Sequence, residues 1–448
     1  MTTGKALDGK PYAGNPHVRF DEGEVASAAT PRRGSLLYKK LFILPLAIAA
    51  MWSVKADITL LSPVGGEVFP TLTDGQLKAF SGATRQERFE ILKGADKKAT
   101  RKEWRRQRPL VLEWRSTGGD KYPWRVRLAT KPDMGDARDF WIEKDDVQRK
   151  KSPDGKESVW KYEVPLANLE LGKTYYWQVW SCVKCSTHSC GFTYPEKCAC
   201  GKSKHGTVSS VASFKTASEP PRWIELEGRV KNVRDLGGWT ACGGRKVRAG
   251  LVFRGQGLND NSLVEIGYGR NRLMVEDVEF MTKTLGIKTD LDLRSDREVA
   301  GMTRSPLGGG VKFIRRFSPA YGAIFASPGR ETMAANFRVF CDRANYPVYF
   351  HCIAGADRTG TLAYVLNGLL GVAKEDLERD WESTFYPELP GVEDPEHGRS
   401  LAHLDRGFAK YGQSGDSLQR RIELYLLDIG ITPEEIATFK SIMLDEDK

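Results

Sequence analysis

The sequence lacks a long apolar run, an internal repeat and a strong excess of charge of one sign. No apolar stretch approaches the ~20 residues of a membrane-spanning helix. With a mean hydropathy of −0.44, this excludes a multi-spanning membrane protein. The 68 basic and 58 acidic residues give a formal charge of +10, which suits anionic substrates but does not predict nucleic-acid binding. The composition is globular, which excludes wholesale disorder and a coiled coil, and 448 residues predict two or three domains.

A short apolar run near the N-terminus is typical of an export signal. Two lysines precede the run Leu41–Met51, and Val54 and Ala56 follow it at the small-residue positions of a cleavage site. We therefore expect residues 1–56 to hold an N-terminal extension and a signal peptide. We expect the protein to be exported across a bacterial-type inner membrane to the periplasm, the cell surface or the medium, with the signal peptide cleaved after Ala56. A buried core helix or a permanent anchor are the alternatives, and the shortness of the run argues against an anchor.

Cysteine is rare outside one short stretch. Five of the eight cysteines crowd there: Cys182, Cys185, Cys190, Cys198 and Cys200. In an oxidising compartment this spacing favours a disulfide-stapled loop, with Cys242 as a sixth partner. A structural zinc site, with His188 or His205 among its ligands, is the alternative.

Residues 57–218 have a predominantly β pattern, in which short alternating segments are separated by turn residues. The predicted strands are Asp57–Leu61, Leu110–Arg115, Trp124–Ala129, Trp160–Val164, Thr174–Trp180 and Ser209–Phe214. This spacing predicts an all-β sandwich. The phrases ITLLSPVGGEVF and LELGKTYYWQVW resemble a fibronectin type III-like module, which implies an accessory domain. Such modules share a shape rather than a chemistry.

An insertion over residues 73–108 interrupts the predicted sandwich. It is predicted to be helical and ends in a basic stretch: Lys97, Lys98, Arg101, Lys102, Arg105, Arg106 and Arg108. A solvated helix face is one interpretation, and docking to an acidic polymer or lipid surface is the other.

Residues 219–448 follow a linker at residues 217–221 and alternate between strands and helices. The predicted elements are strands 288–293 and 348–352 and helices 332–343, 361–370, 417–427 and 433–444. This alternation predicts an α/β domain with a mostly parallel central sheet flanked by helices.

The segment PVYFHCIAGADRTGTLAYVLNGLLG, residues 347–371, joins an apolar strand to an apolar helix through a short loop. Loop N–H groups and the helix N-terminus would together cradle a phosphate. Arg358 would hold two phosphate oxygens with its planar fork. The same positive potential favours a thiolate at Cys352, aimed at phosphorus. The alternative is a buried core cysteine and an unrelated surface arginine, which the flanking His351, Gly355 and Thr359 argue against.

The loop matches the pattern HCxxGxxR[ST]G of the cysteine-dependent protein tyrosine phosphatase superfamily. HCIAGADRTG, VKNVRDLGGW, VRAGLVFRGQGL and DLDLRSDRE together resemble the bacterial tyrosine/lipid phosphatase family. The resemblance covers about residues 223–444 and implies a tyrosine-phosphatase fold, a phosphocysteine intermediate and no metal or cofactor. The phosphate-binding residues it implies are Ile353, Ala354, Gly355, Ala356, Asp357 and Arg358. The supporting residues are His351, which orients the loop, Thr359, which donates to the thiolate, and Asp292.

One position departs from the family pattern: Ala356 stands where a lysine associated with multiply phosphorylated lipids is common. This favours phosphotyrosine or another monoester. No Trp-Pro loop aspartate lies between Arg294 and His351, so the resemblance assigns the general acid to Asp357. Helix capping is the alternative role of Asp357.

Asp292 is the second candidate acid, because it ends a predicted parallel strand and active sites gather at such ends. Three aromatic residues are candidates for stacking on a substrate ring: Trp239, Tyr321 and Phe325.

The sequence therefore predicts an exported protein tyrosine phosphatase whose partner is a phosphotyrosine peptide or protein, or another phosphomonoester. It predicts neither a nucleic-acid partner nor a membrane span. The alternatives are an inositol phosphate or phosphoinositide phosphatase with the same chemistry, a catalytically silent phosphate-binding module, and a sulfur-transfer or arsenate-reducing enzyme.

Overall fold

The computed structural model describes residues 57–93, 104–117, 124–182, 205–259, 272–299, 301–386 and 400–445. The predicted signal peptide, Lys97 to Lys102 and the cysteines between Cys185 and Cys200 lie outside the described residues. The described residues belong to one compact unit. Within these ranges, no helix is long and apolar enough to cross a lipid bilayer.

Two layered sheets account for most of the N-terminal region. The first has the strand order β1-β3-β7-β6, and the second has the order β2-β10-β8-β4-β5, with β9 paired to β8. The strands are β1 Ile58–Ser62, β2 Val68–Phe69, β3 Val111–Thr117, β4 Trp124–Ala129, β5 Arg138–Ile142, β6 Gln148–Lys151, β7 Glu157–Glu163, β8 Thr174–Cys182, β9 His205–Val208 and β10 Ala212–Thr216. Both sheets bury side chains in one core, including Trp114 and Trp160 from the first and Trp124 and Trp177 from the second.

The six predicted strands of this region are present with small shifts at their ends. The sequence analysis missed β2, β5, β6 and β9. β6 reads QRKK, a charged edge strand without apolar alternation. The fibronectin type III-like assignment and the boundaries 57–218 and 219–448 remain predictions.

The predicted helical insertion contains helices Asp74–Ser81 and Arg85–Lys93. The first begins at a capping box, in which Thr73 Oγ1 accepts from Gln76 N–H at 3.3 Å and Gln76 Oε1 accepts from Thr73 N–H at 2.7 Å.

A third sheet, with the order β11-β12-β15-β13-β14, forms the centre of the C-terminal region. Its strands are β11 Arg234–Asp235, β12 Val252–Gln256, β13 Thr289–Asp292, β14 Lys312–Arg315 and β15 Val348–Cys352. β12, β15, β13 and β14 are parallel neighbours, and only β11 is antiparallel among these five strands. The mostly parallel sheet is thus confirmed, and the later strand β15 lies between β12 and β13.

Helices cover both faces of this sheet. They are Val275–Glu279, which continues as a π-helix over Phe280–Thr284, then Gly329–Val339, Asp357–Leu369, Lys374–Ser383, Leu401–Phe408, Leu418–Asp428 and Pro433–Met443. Alternation along β15 points Val348, Phe350 and Cys352 into one hydrophobic core and Tyr349 into another. The helix after β15 begins at Asp357, four residues before its predicted start, so its first turn belongs to the candidate site.

Candidate active site

The candidate site lies at the carboxyl end of β15, the central strand of the parallel sheet. Cys352 is the last residue of this strand, only 3% exposed, and carries a free thiol. Residues 353–356 form a tight loop, and the helix Asp357–Leu369 follows at once. The structure thus brings together the cysteine, the loop and the helix N-terminus that the sequence predicts.

The carbonyl groups of the loop point away from its centre. Each of the four accepts a hydrogen bond from a donor outside the loop. Gly257 N–H donates to Ile353 O at 3.1 Å, and Gly360 N–H donates to Ala356 O at 2.7 Å. Asn232 Nδ2 donates to Ala354 O and to Gly355 O at 3.1 Å each, and Arg254 Nη2 donates to Gly355 O at 2.9 Å. Because a peptide plane that turns its C=O outward turns its N–H inward, the loop presents donors to a common centre. Within the described chain, no acceptor takes the N–H groups of Ala354, Gly355 or Ala356.

Gly355 allows the loop to close. Its φ is +69°, and a Cβ at this position would lie 2.4 Å from Gly255 O. A side chain would therefore meet both backbone strain and a collision with the neighbouring strand β12.

A buried cluster of ion pairs supports the loop on the side of its carbonyl groups. Arg254 donates to Asp380 Oδ2 at 2.5 Å, and Arg234 donates to Asp380 Oδ1 at 2.7 Å and to Asn232 Oδ1 at 2.6 Å. Burial and the neighbouring Arg234 charge lower the pKa of Arg254 to about 10, and Asp380 opposes that effect. The sequence analysis missed Asn232 and Asp380.

Arg358 is held in a fixed orientation by Glu298. Its Nη1 and Nη2 donate to the two Glu298 carboxylate oxygens, at 2.7 Å each. Burial opposes ionisation of Glu298, but hydrogen bonds from Arg358 and Ser295 outweigh it and lower the pKa of Glu298 to about 2. The carboxylate is therefore charged at neutral pH and orients the guanidinium beside the loop. Glu298 ends the DLDLRSDRE motif, but its partner lies 60 residues away, so the sequence did not reveal this role.

Asp357 lies in the first turn of the helix and accepts a hydrogen bond from Tyr321. The Tyr321 hydroxyl donates to Asp357 Oδ1 at 2.7 Å and accepts from Trp381 Nε1 at 3.2 Å. Asp357 is half-buried and directly follows the loop.

Asp292 has a different environment from Asp357. Arg294 Nε donates to both of its carboxylate oxygens, at 2.9 and 3.1 Å, and Arg294 Nη2 donates at 2.8 Å. Burial would raise the pKa of Asp292, but His351 and Arg294 together hold it below its ordinary value. Asp292 is thus a buried, ionised carboxylate that neutralises Arg294.

His351 and Thr359 flank the loop. His351 Nε2 lies 2.9 Å from Asp290 Oδ1, and its Nδ1 lies 3.3 Å from Cys352 O, which agrees with an orienting position. Thr359 is fully buried, and its Oγ1 has no hydrogen-bond partner among the described residues. An unpaired buried hydroxyl is costly, so this donor is available to a group bound in the loop.

The aromatic residues singled out from the sequence contribute to packing. Trp239 and Tyr321 are each 4% exposed, and the Phe325 ring packs against Phe408. Phe317 was missed. It is 46% exposed, with its ring centroid 5.9 Å from the Arg358 guanidinium carbon.

The described cysteines with placed side chains, Cys242, Cys341 and Cys352, are free thiols. Cys242 thus has no disulfide partner among these three cysteines. Its pairing with the cysteine cluster, and the choice between disulfides and zinc there, remain predictions. In the described segments, no group of three or more His, Cys, Asp or Glu side chains is arranged to hold a metal ion.

Part of the chain is similar in sequence to known phosphatases. Residues 224–388 match the sequence model described as the tyrosine phosphatase family. A Cupriavidus necator protein, provisionally named a tyrosine-protein phosphatase, is 29% identical over 200 residues, which cover 37% of this chain and 67% of the relative.

Solved structures of the yeast protein Siw14 also match. The core catalytic domain of this PP-IP phosphatase from S. cerevisiae, in complex with citrate, is 15% identical, with 35% of this chain and 88% of that chain covered. A second structure of the Siw14 catalytic core is 14% identical over the same shares. Both have a TM-score of 0.22, too low to support an argument about fold or substrate. On the family match and the sequence relative, residues 224–388 of this chain are similar to the tyrosine phosphatase family.

Proposed function

We propose that this chain is an exported phosphomonoester hydrolase that acts on phosphotyrosine through a phosphocysteine intermediate. The observation that carries the proposal is the loop of residues 353–356, with its carbonyl groups turned outward and its donors turned inward next to Cys352. Donors fixed before substrate arrives stabilise the charge of a transferring phosphoryl group without reorganisation.

In the first step, the Cys352 thiolate attacks phosphorus. The S–P bond forms, the bond from phosphorus to the substrate oxygen breaks, and the Asp357 carboxyl group gives its proton to that oxygen. Arg358 and the loop N–H groups hold the phosphoryl oxygens. The expelled alcohol is tyrosine.

In the second step, a water molecule attacks phosphorus and transfers a proton to the Asp357 carboxylate. The S–P bond breaks, and phosphate leaves. The Thr359 hydroxyl donates a hydrogen bond to the departing Cys352 sulfur, which is consistent with its lack of another partner among the described residues.

Asp357 is favoured over Asp292 as the acid because of their surroundings. A general acid must carry a proton before the reaction, and the lowered pKa of Asp292 keeps that carboxylate ionised. Asp357 contacts the neutral Tyr321 hydroxyl and lies in the first turn after the loop.

Apolar side chains beside the loop support an aryl substrate. Phe317 is 46% exposed and Ile353 is 47% exposed, and both lie next to residues of the proposed phosphate site. At position 356, where the family commonly has lysine, Ala356 of this chain is buried and adds no charge for further phosphates.

The experiment that tests the proposal compares the purified full chain with its Cys352→Ser variant. The wild type should hydrolyse p-nitrophenyl phosphate, and Cys352→Ser should fall to background because the serine hydroxyl stays protonated. Absence of hydrolysis by the folded wild type contradicts the enzyme assignment and leaves a phosphate-binding module.

A substrate panel then tests the phosphotyrosine assignment. A phosphotyrosine peptide should have the highest kcat/KM, above a phosphoserine peptide, soluble inositol phosphates and phosphoinositide vesicles. A preference for inositol phosphates or vesicles would contradict the aryl substrate while retaining the chemistry. Export is tested by N-terminal sequencing of the secreted protein, which should begin at Asp57.

A further inference from the structure

Helix Lys374–Ser383 contacts the candidate site through two consecutive residues. Asp380 pairs with Arg254, which donates to the loop carbonyl of Gly355 at 2.9 Å. Trp381 donates to the Tyr321 hydroxyl, which in turn donates to Asp357. One side chain, Arg254, therefore links the helix to the loop, and one side chain, Tyr321, links it to the proposed acid Asp357.

The next residue of the same helix, Glu382, binds the helical insertion of the N-terminal region. Arg88 Nε and Nη2 donate to the two Glu382 carboxylate oxygens at 2.6 and 3.1 Å, and Arg88 Nη2 donates to Glu378 at 3.0 Å. The side chains of Arg88 and Glu382 are both fully buried. Arg85 adds an ion pair to Glu382 at 3.2 Å.

Aromatic packing supports the ionic contact. The Arg85 guanidinium carbon lies 5.3 Å from the centroid of the Trp381 ring. Phe80 and Trp104 of the insertion pack against Tyr386, with ring centroids 5.9 and 5.6 Å away. The insertion thus holds both Glu382 and the tryptophan that bonds to Tyr321.

We propose that the helical insertion positions the phosphate loop and Asp357 through helix Lys374–Ser383, with Arg88 as the main positioning residue. This inference rests on the proposed function for its catalytic consequence. A buried, bidentate ion pair is expensive to desolvate, and its value lies in fixing one geometry more than in adding stability. With Glu382 fixed, Asp380 and Trp381 cannot shift along the helix axis without breaking a buried charge pair.

The test uses the full chain with Arg88→Gln and the milder Arg85→Gln, whose side chain is 29% exposed. Arg125→Gln is the matched control, since Arg125 pairs with Asp139 and lies over Trp141 and Trp180 within the N-terminal sheets. For each variant, kcat and KM with p-nitrophenyl phosphate and hydrogen exchange of residues 352–360 are measured.

Arg88→Gln should lower kcat by about tenfold to a hundredfold, since a displacement of about 1 Å at a catalytic group costs about that much. KM should change less, and amide exchange in residues 352–360 should accelerate. Arg85→Gln should show the same pattern with smaller changes, and Arg125→Gln should match the wild type.

Two outcomes would overturn the inference. One is a folded Arg88→Gln or Arg85→Gln variant with wild-type kcat and wild-type exchange in residues 352–360. The other is an equal effect of Arg125→Gln, which would indicate general destabilisation. If the wild type shows no turnover, the proposed function fails, and the exchange measurement alone decides whether the insertion positions the loop.

Discussion

At the scale of single residues, Asp357 and Asp292 are two carboxylates near one cysteine in opposite surroundings. Asp357 accepts from a neutral hydroxyl, whereas Asp292 is enclosed by the Arg294 guanidinium and has a lowered pKa. The same side-chain type is thus suited to proton transfer at one position and to charge neutralisation at the other.

The Asp357→Asn variant should lose activity to an extent that depends on the leaving group of the substrate, as expected when a general acid is removed. Tyrosine has a pKa of about 10, so its departure needs a proton, and the variant should lose about 10²–10⁴-fold in kcat/KM on a phosphotyrosine peptide. The loss on p-nitrophenyl phosphate should be much smaller, because nitrophenolate is a weak base and leaves unprotonated. Steady-state kinetics on both substrates measure the difference.

The comparison variant is Asp292→Asn. It should lower kcat/KM on both substrates to a similar extent, because it loosens Arg294 without removing a proton donor. A leaving-group-dependent loss in Asp292→Asn, together with none in Asp357→Asn, would reverse the assignment.

The residues of the loop motif were predictable because they are contiguous and their chemistry follows from their order. The residues that hold them were not. Asn232, Glu298 and Asp380 reach the site across separations of 122, 60 and 126 residues in their respective contacts. A single sequence gives no signal for such pairs, since a buried arginine and its carboxylate look like ordinary surface charges until the fold joins them.

At the scale of elements, the connection between β15 and the following helix determines the shape of the site. Gly355→Ala should abolish most activity, since a Cβ would lie 2.4 Å from Gly255 O and the backbone has φ +69°. The backbone strain should lower the free energy of unfolding by about 1–3 kcal/mol. Denaturant unfolding and kcat with p-nitrophenyl phosphate measure the two effects.

Gly308→Ala is the control for this prediction. Gly308 has φ +103°, but nothing lies within 4 Å of its added Cβ. The Gly308→Ala variant should therefore lose stability through backbone strain alone, while its kcat stays near the wild-type value. Equal kcat in the two variants would show that the close contact with β12 does not shape the loop.

Element prediction succeeded where apolar periodicity was strong. β15 has the predicted bounds Val348–Cys352, and the helix Pro433–Met443 differs from its prediction by one residue. It failed for β6, whose charged side chains follow no apolar pattern, and the helix start at Asp357 was placed too late because polar residues occupy its first turn.

At the scale of the whole molecule, the N-terminal sheets and the C-terminal α/β region are not independent of each other. The insertion joins them, in addition to direct contacts such as the hydrogen bond from Asn168 Nδ2 to Glu225 O at 2.9 Å. The sequence predicted a helical insertion and interpreted its basic stretch as a solvated face or an external docking surface. It did not single out Arg88, which lies outside that stretch and is buried against Glu382. Such a contact between distant segments follows from the packing of Phe80, Trp104 and Tyr386, which no local pattern indicates.

The central claim, a covalent phosphocysteine at Cys352, is tested most directly by trapping that species. Asp357→Asn is mixed with p-nitrophenyl phosphate, quenched within milliseconds to seconds and analysed by peptide mass spectrometry. The variant should accumulate the intermediate, because its first step needs little acid while its second step lacks the base. We predict one phosphoryl group on the peptide that contains Cys352; turnover with no phosphoryl group on this cysteine, or with the label on another residue, would contradict the account.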